Sequence, residues 1–139
     1  MSLRFLLDTS TLSEPLRPAP HAGLMRRLRT HTGRLAIAAT TWHEALFGLY
    51  RMPEGRRRQM VHDFLFNVVG PGLPVLPYDD AAAEWHARER ARLATEGHTA
   101  PFSGGQIAAV AKIHGLTLVT ENARDFEPFA GVIVESWRR

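Results

Sequence analysis

The chain has 139 residues, 45% of them hydrophobic and 22% charged, which suits one domain with a buried core and excludes disorder. It has no cysteine, so disulfides, thiolate metal sites and a cysteine nucleophile are ruled out. Seventeen cations against 14 acids leave a formal charge of +3, weak support on its own for a nucleic-acid partner.

Residues 3–7 read as a short buried strand ended by Asp8. The apolar stretch is too short for a signal peptide, and no apolar run along the chain is long enough to span a membrane. A soluble, cytoplasmic protein is expected. Residues 9–17 are helix-like but carry Pro15, so this helix should be short or kinked. Residues 18–20, Pro-Ala-Pro, form a linker, and 22–30 a helix with Leu24, Met25 and Leu28 on one side. A second strand is expected over 35–39 and a helix over 41–50, stopped near Pro53. Residues 54–69 place Met60, Val61, Phe64, Leu65 and Val68 at helical spacing, and Gly70-Pro71-Gly72 should break that helix. A third strand follows over 73–76. A helix over 79–94 is capped by Asp79, and another over 103–114 is closed by Gly115. Residues 116–119 and 132–134 complete five strands.

Short apolar strands alternating with helices imply a single α/β domain over 1–139, with a mostly parallel sheet covered on both faces. Ligands of such sheets sit outside the carboxyl ends of the strands, where strand order reverses. Attention therefore falls on Asp8, on Thr40-Thr41 with the turn after them, and on 120–125. Each has a local explanation. Asp8 can cap the helix at Thr9, Thr41-Trp42-His43-Glu44 reads as a capping box, and Asn122 and Asp125 suit a turn. Taken together, three distant segments bring acids or amides to one sheet edge. Clustered carboxylates repel unless a cation neutralises them, and oxygen ligands without His or Cys suit Mg²⁺ or Mn²⁺. There is no paired-His metalloprotease helix, Gly-rich phosphate loop or G-x-S-x-G elbow. The arginines cluster at 26–29, 56–58, 88–92 and 138–139, which reads either as solvated helix faces or as a phosphate-binding surface. Leu46, Phe47, Leu49 and Tyr50 read either as core or as a partner-facing groove.

The run Phe-Leu-Leu-Asp-Thr-Ser-Thr-Leu-Ser-Glu at 5–14 resembles the opening of a PIN domain of the VapC toxin type. Glu44-Ala-Leu-Phe-Gly48 resembles that family's second acidic motif, and 106–126 resembles its C-terminal half. The terminal Val-Glu-Ser-Trp137 also fits, so the resemblance covers essentially the whole chain. It implies a three-layer α/β/α sandwich with a five-stranded sheet. It also implies a Mg²⁺- or Mn²⁺-dependent RNA endonuclease that forms a homodimer. A VapB-like antitoxin would inhibit it, and DNA would be contacted only through that antitoxin. On this resemblance Asp8 and Glu44 would be metal ligands. Asn122 stands at the fourth acidic position, Asp125 belongs to the usual Asp-Phe pair, and Thr9 and Thr120 are supporting hydroxyls.

One position departs from the pattern. The third acid, three residues before the Ile of Gln-Ile-Ala-Ala, is here Gly104. Three origins stand open: a native glycine with Asp125 or bound phosphate compensating, a deliberate inactivating substitution, or one selected because a toxic ribonuclease kills its host. Locally, Ser103 and Gln106 can form an S-x-x-Q box around the glycines. Two functions are carried forward. One is a VapC-like endonuclease impaired by Gly104. The other is a catalytically inactive toxin subunit acting through antitoxin binding and operon autoregulation.

Overall fold

Phe5, Leu6 and Leu7 are all buried, as a central strand covered on both faces requires. They form β1 (Phe5–Leu7) in the computed structural model, which describes residues 2–138. The other strands are β2 (Leu35–Ala38), β3 (Val75–Leu76), β4 (Thr117–Val119) and β5 (Val134–Glu135). The sheet order is β3-β2-β1-β4-β5 and every pairing is parallel. The order reverses between β1 and β4, so the crevice outside their carboxyl ends is the place where a ligand belongs.

Side chains alternate across the strands and build two cores. Phe5, Leu7, Leu35, Ile37 and Val119 pack on one face against α1 (Thr9–Leu12), α2 (Ala22–Thr30), α3 (Ala39–Arg51) and α4 (Arg56–Asp63). Leu6, Ala36, Ala38 and Leu118 pack on the other, against Leu93 of α6 (Asp80–Thr95) and the Ile107–Ala111 stretch of α7 (Phe102–His114). The expected α/β/α sandwich is therefore present. Among the described residues, no helix is long and apolar enough to cross a membrane.

Four local expectations are corrected. α3 starts at Ala39, directly from the end of β2, with Ala38 at its cap position and no side-chain cap. The Thr41–Glu44 capping box does not form, because both residues lie inside the helix; Thr41 is buried with its hydroxyl unpartnered. Likewise α7 starts at Phe102 after Pro101, so Ser103 is not its cap. Gly70-Pro71-Gly72 does not break the preceding helix. A π-helical turn over Phe64–Val69 widens the ladder, and α5 (Gly70–Gly72) continues it. Pro71 thereby opens a fresh turn, where its missing N–H is not needed. The Leu73 amide still donates to the Val69 carbonyl at 2.9 Å. The expected cap at Asp79 does form, its carboxylate accepting from the Ala82 amide at 2.9 Å.

Two glycines in α7 have different reasons. Gly105 lies against buried His86 of α6, and a Cβ there would fall 2.1 Å from the His86 Nε2. Gly104 has room, since a Cβ would meet only Phe126 and Pro101 at 3.8 and 3.9 Å. Gly105→Ala should lower stability by about 1–3 kcal/mol through overpacking, measured by denaturant unfolding. A neutral result would show that α6 and α7 are not locked at this contact. Gly115 ends α7 in the left-handed conformation at φ 66°, as a glycine closing a helix should.

Candidate active site

The parallel ladder carries Asp8 to the reversal point. Its amide donates to the Val119 carbonyl at 2.9 Å, which sets its side chain just beyond β1. The carboxylate makes no capping bond to α1. It accepts instead from the Thr120 hydroxyl at 2.8 Å, across 112 residues of sequence. The Asn122 amide donates to that same hydroxyl at 3.0 Å, so Thr120 is oriented from both sides. Glu44 projects from α3 and accepts from the Thr9 hydroxyl at 3.2 Å. Asn122 precedes the 3₁₀ turn Ala123–Asp125 after β4 and makes no side-chain cap there, and Asp125 is the last residue of that turn.

These groups share one cleft of about 210 Å³. Asp8, Thr9, Glu44, Gly104, Asn122 and Asp125 all line it. The backbone at Gly104 thus occupies the wall where the resemblance expects a third acid. Thr120 is fully buried behind the cleft and acts through Asp8. Ser10 and Pro101 also line the cleft and were not singled out from the sequence, and Ser103, read there only as a helix cap, lines it too. The signal for Ser10 was its place in the run at 5–14. Its hydroxyl accepts from the Glu121 amide at 3.2 Å, a contact 111 residues apart.

Asp8 is 8% exposed. Burial pushes its carboxyl above the ordinary carboxylate range; the Thr120 hydrogen bond opposes that shift and the negative charge of Asp125 adds to it. A buried acid facing a second acid is a place where a cation is favoured. Glu121, the remaining acid of this loop, is turned elsewhere. Its carboxylate accepts from the Ser136 hydroxyl at 2.6 Å and the Trp137 amide at 3.1 Å, and so holds the C-terminal segment.

Among the described residues, no three His, Cys, Asp or Glu side chains gather closely enough to enclose a metal ion. Position 104 supplies no carboxylate and position 122 supplies an amide. The oxygen donors that line the cleft still suit Mg²⁺ or Mn²⁺. Such an ion needs only one or two carboxylates when waters and substrate phosphate complete its shell.

The arginine clusters divide. Arg88 pairs with Glu84, Arg92 with Glu89 and Glu96, and Arg58 with Glu54. Arg57 donates to the Leu16 carbonyl at 3.0 Å. These read as structured helix faces. In the last cluster Arg138 is bonded to buried Glu14, and Arg139 lies outside the described residues. On α3, Leu49 is core, while Phe47 and Tyr50 are 55% and 58% exposed.

A family model described as the PIN domain matches residues 5–132. The chain is 32% identical to the tRNA(fMet)-specific endonuclease VapC of Shigella flexneri, covering 97% of this chain and 98% of that relative. It is 30% identical to toxin FitB of Neisseria gonorrhoeae, covering 95% and 97%. Among solved structures, FitAB bound to an IR36 DNA fragment superposes with a TM-score of 0.88 at 29% identity, covering 97% of this chain and 96% of that one. DNA-bound VapBC from Salmonella typhimurium gives 0.85 at 30% identity, covering 97% and 98%.

Proposed function

Because this chain belongs to the PIN domain family, we propose that it is a VapC-type toxin, a divalent-metal-dependent endoribonuclease restrained by an antitoxin. The observation that carries the reading is Asp8, a buried carboxylate facing Asp125 in a cleft that also holds Glu44 and Asn122. Its relatives include named ribonucleases, and its structural neighbours include toxin–antitoxin complexes.

Asp8 and Glu44, with Asn122 and Asp125, would hold Mg²⁺ or Mn²⁺. A divalent ion held by these residues would supply Lewis acidity, for water and for charge at a phosphate. Thr120 keeps the Asp8 carboxylate aimed by donating to one oxygen, and Thr9 does the same for Glu44. Phe126 and Ile107 are buried apolar walls of the cleft that limit water around the polar groups. Gly104 leaves one position without a carboxylate, so cleavage by this chain is impaired. The exposed Phe47 and Tyr50, together with Met60, Phe66 and Val68, form apolar surface of the kind used for protein contacts. They support a homodimer and an antitoxin partner, with DNA contacted only through that partner.

The reading is tested on total RNA with Mg²⁺ or Mn²⁺. Cleavage should vanish in EDTA and in Asp8→Asn; cutting that survives EDTA overturns it. The same substitution should raise the melting temperature of the metal-free protein. The folded-state pKa of Asp8 is raised, so its contribution to stability is complete at low pH and is lost as pH climbs past about 4. An uncharged amide removes that loss, with a gain of about 0.5–2 kcal/mol at neutral pH. An unchanged or lower melting temperature would contradict the electrostatic account of Asp8.

Gly104 favours a second reading, an inactive subunit that works through antitoxin binding and autoregulation. It requires that no metal concentration yields cleavage while the antitoxin still binds tightly.

A further inference from the structure

We propose that the groove beside the acidic cleft, walled by Thr40, His43, Tyr78, Ser103 and Gln106, is a subsite for one unpaired RNA base next to the phosphate being cut. The inference rests on the endoribonuclease reading and adds where the flanking nucleotide is read. The groove has a volume of about 580 Å³, within the roughly 300–1,000 Å³ of ligand-sized pockets. Glu44 and Ser103 line both this groove and the acidic cleft, so the two spaces abut. A strand whose phosphate lies in the cleft must place an adjacent nucleotide nearby.

The lining chemistry selects a base over a phosphate. Among the described residues no Arg or Lys lines the groove, and the acid in its wall is Glu44 at the junction. An anionic phosphate gains nothing there. Hydrogen-bonding groups on Thr40, His43, Ser103 and Gln106 suit the edge of a base, which single-stranded RNA exposes. Gln106 is arranged for this use. The Thr40 hydroxyl bonds one end of its amide at 3.2 Å, and the other end has no protein partner among the described residues. One hydrogen bond thus fixes the side chain and leaves the other end available.

The aromatic wall is equally fixed. The Tyr78 hydroxyl bonds His86 Nδ1 at 2.8 Å, and the two rings meet edge to face at 5.8 Å. His86 is itself fully buried against Gly105, so Tyr78 is anchored to the α6–α7 contact. The His86 ring also packs on Phe102, their centres 5.0 Å apart; Phe102 is 51% exposed, with the Arg90 guanidinium 4.9 Å from its ring centre. That pair offers a second stacking surface beyond the groove.

The test measures binding to the full chain, with Ca²⁺ in place of Mg²⁺, by fluorescence anisotropy. The probes are labelled RNA hexamers that are abasic except for a single A, C, G or U, and a fully abasic hexamer. The chain should prefer one base-bearing probe over the abasic one by about tenfold or more, the scale of a single stacked base. His43→Ala, an exposed change on α3, and Gln106→Ala should each reduce that preference to about twofold or less. Both should leave affinity for the abasic hexamer unchanged. Absence of any base preference, whether every probe binds alike or none binds, overturns the subsite. So does an equal loss on all probes in both variants. Cleavage is read separately in Mn²⁺. A chain that selects a base yet never cuts, even as Gly104→Asp, refutes the nuclease reading and leaves the subsite standing. One that cuts RNA but binds all probes alike refutes only the subsite.

Discussion

Gly104→Asp is expected to raise RNA cleavage in Mg²⁺ or Mn²⁺ by about 10–100-fold or more. That range is the usual cost of losing even an outer partner of a bound metal, and a lost direct ligand costs at least as much. The structure has room for the change, because a Cβ at 104 makes only ordinary contacts with Phe126 and Pro101. It also faces the correct space, since Gly104 lines the cleft with Asp8 and Glu44. Gly104→Ala separates the carboxylate from the helix. Alanine in α7 should add up to about 1 kcal/mol of stability and leave cleavage where it was. Initial rates on one labelled RNA across a metal titration compare all three proteins. Equal, strong cleavage by the original chain and by Gly104→Asp would show that Asp8, Glu44 and Asp125 suffice.

Arg138→Ala should destabilise the fold by about 3 kcal/mol, the lower end for a broken buried pair because Arg138 is itself partly exposed. Glu14 is 1% exposed, and Arg138 grips one of its oxygens through Nε at 3.0 Å and Nη2 at 2.6 Å. The His21 amide donates to the other oxygen at 3.2 Å. Burial alone would push this carboxyl up. The Arg138 and His21 hydrogen bonds, with the charges of Arg138 and Arg17, bring it below the ordinary range. Its contribution is therefore complete above about pH 4.3 and is lost as pH falls through the lowered value. In thermal melts the variant should fall by about 10 °C at pH 7, with a smaller gap in strong acid. A gap that is absent at pH 7, or that widens in acid, would remove this pair from the account of stability.

The sheet was legible because a doubly covered parallel strand is a run of apolar residues, as in Phe5-Leu6-Leu7 and Leu118-Val119. Helix α2 was legible at both ends. The starts of α3 and α7 were not, because each begins without a side-chain cap and a nearby Ser/Thr-x-x-Glu/Gln pattern imitates one. The Glu44 carboxylate answers to Thr9, 35 residues away, and no local rule reports such a bond. The continuation through Pro71 was hidden for a related reason, since a π turn has no strong sequence signature. Asp8, Glu44, Asn122 and Asp125 could be named because topology collects whatever follows β1, β2 and β4 at one edge. The partners that aim them are tertiary pairings, Thr120 reaching Asp8 across 112 residues and Thr9 reaching Glu44 across 35. The sequence marked Gly104 as the position of a missing acid but gave no packing reason for Gly105, which the contact with His86 supplies.

Glu121 clasps Ser136 and Trp137 with its side chain while its own amide leans on Ser10 at the mouth of the cleft. Ser136 and Trp137 are thus tied through Glu121 to Ser10, a residue that lines the cleft. Removing that carboxylate, as in Glu121→Ala, would leave the Ser136 hydroxyl and the Trp137 amide without this partner and loosen the segment after β5.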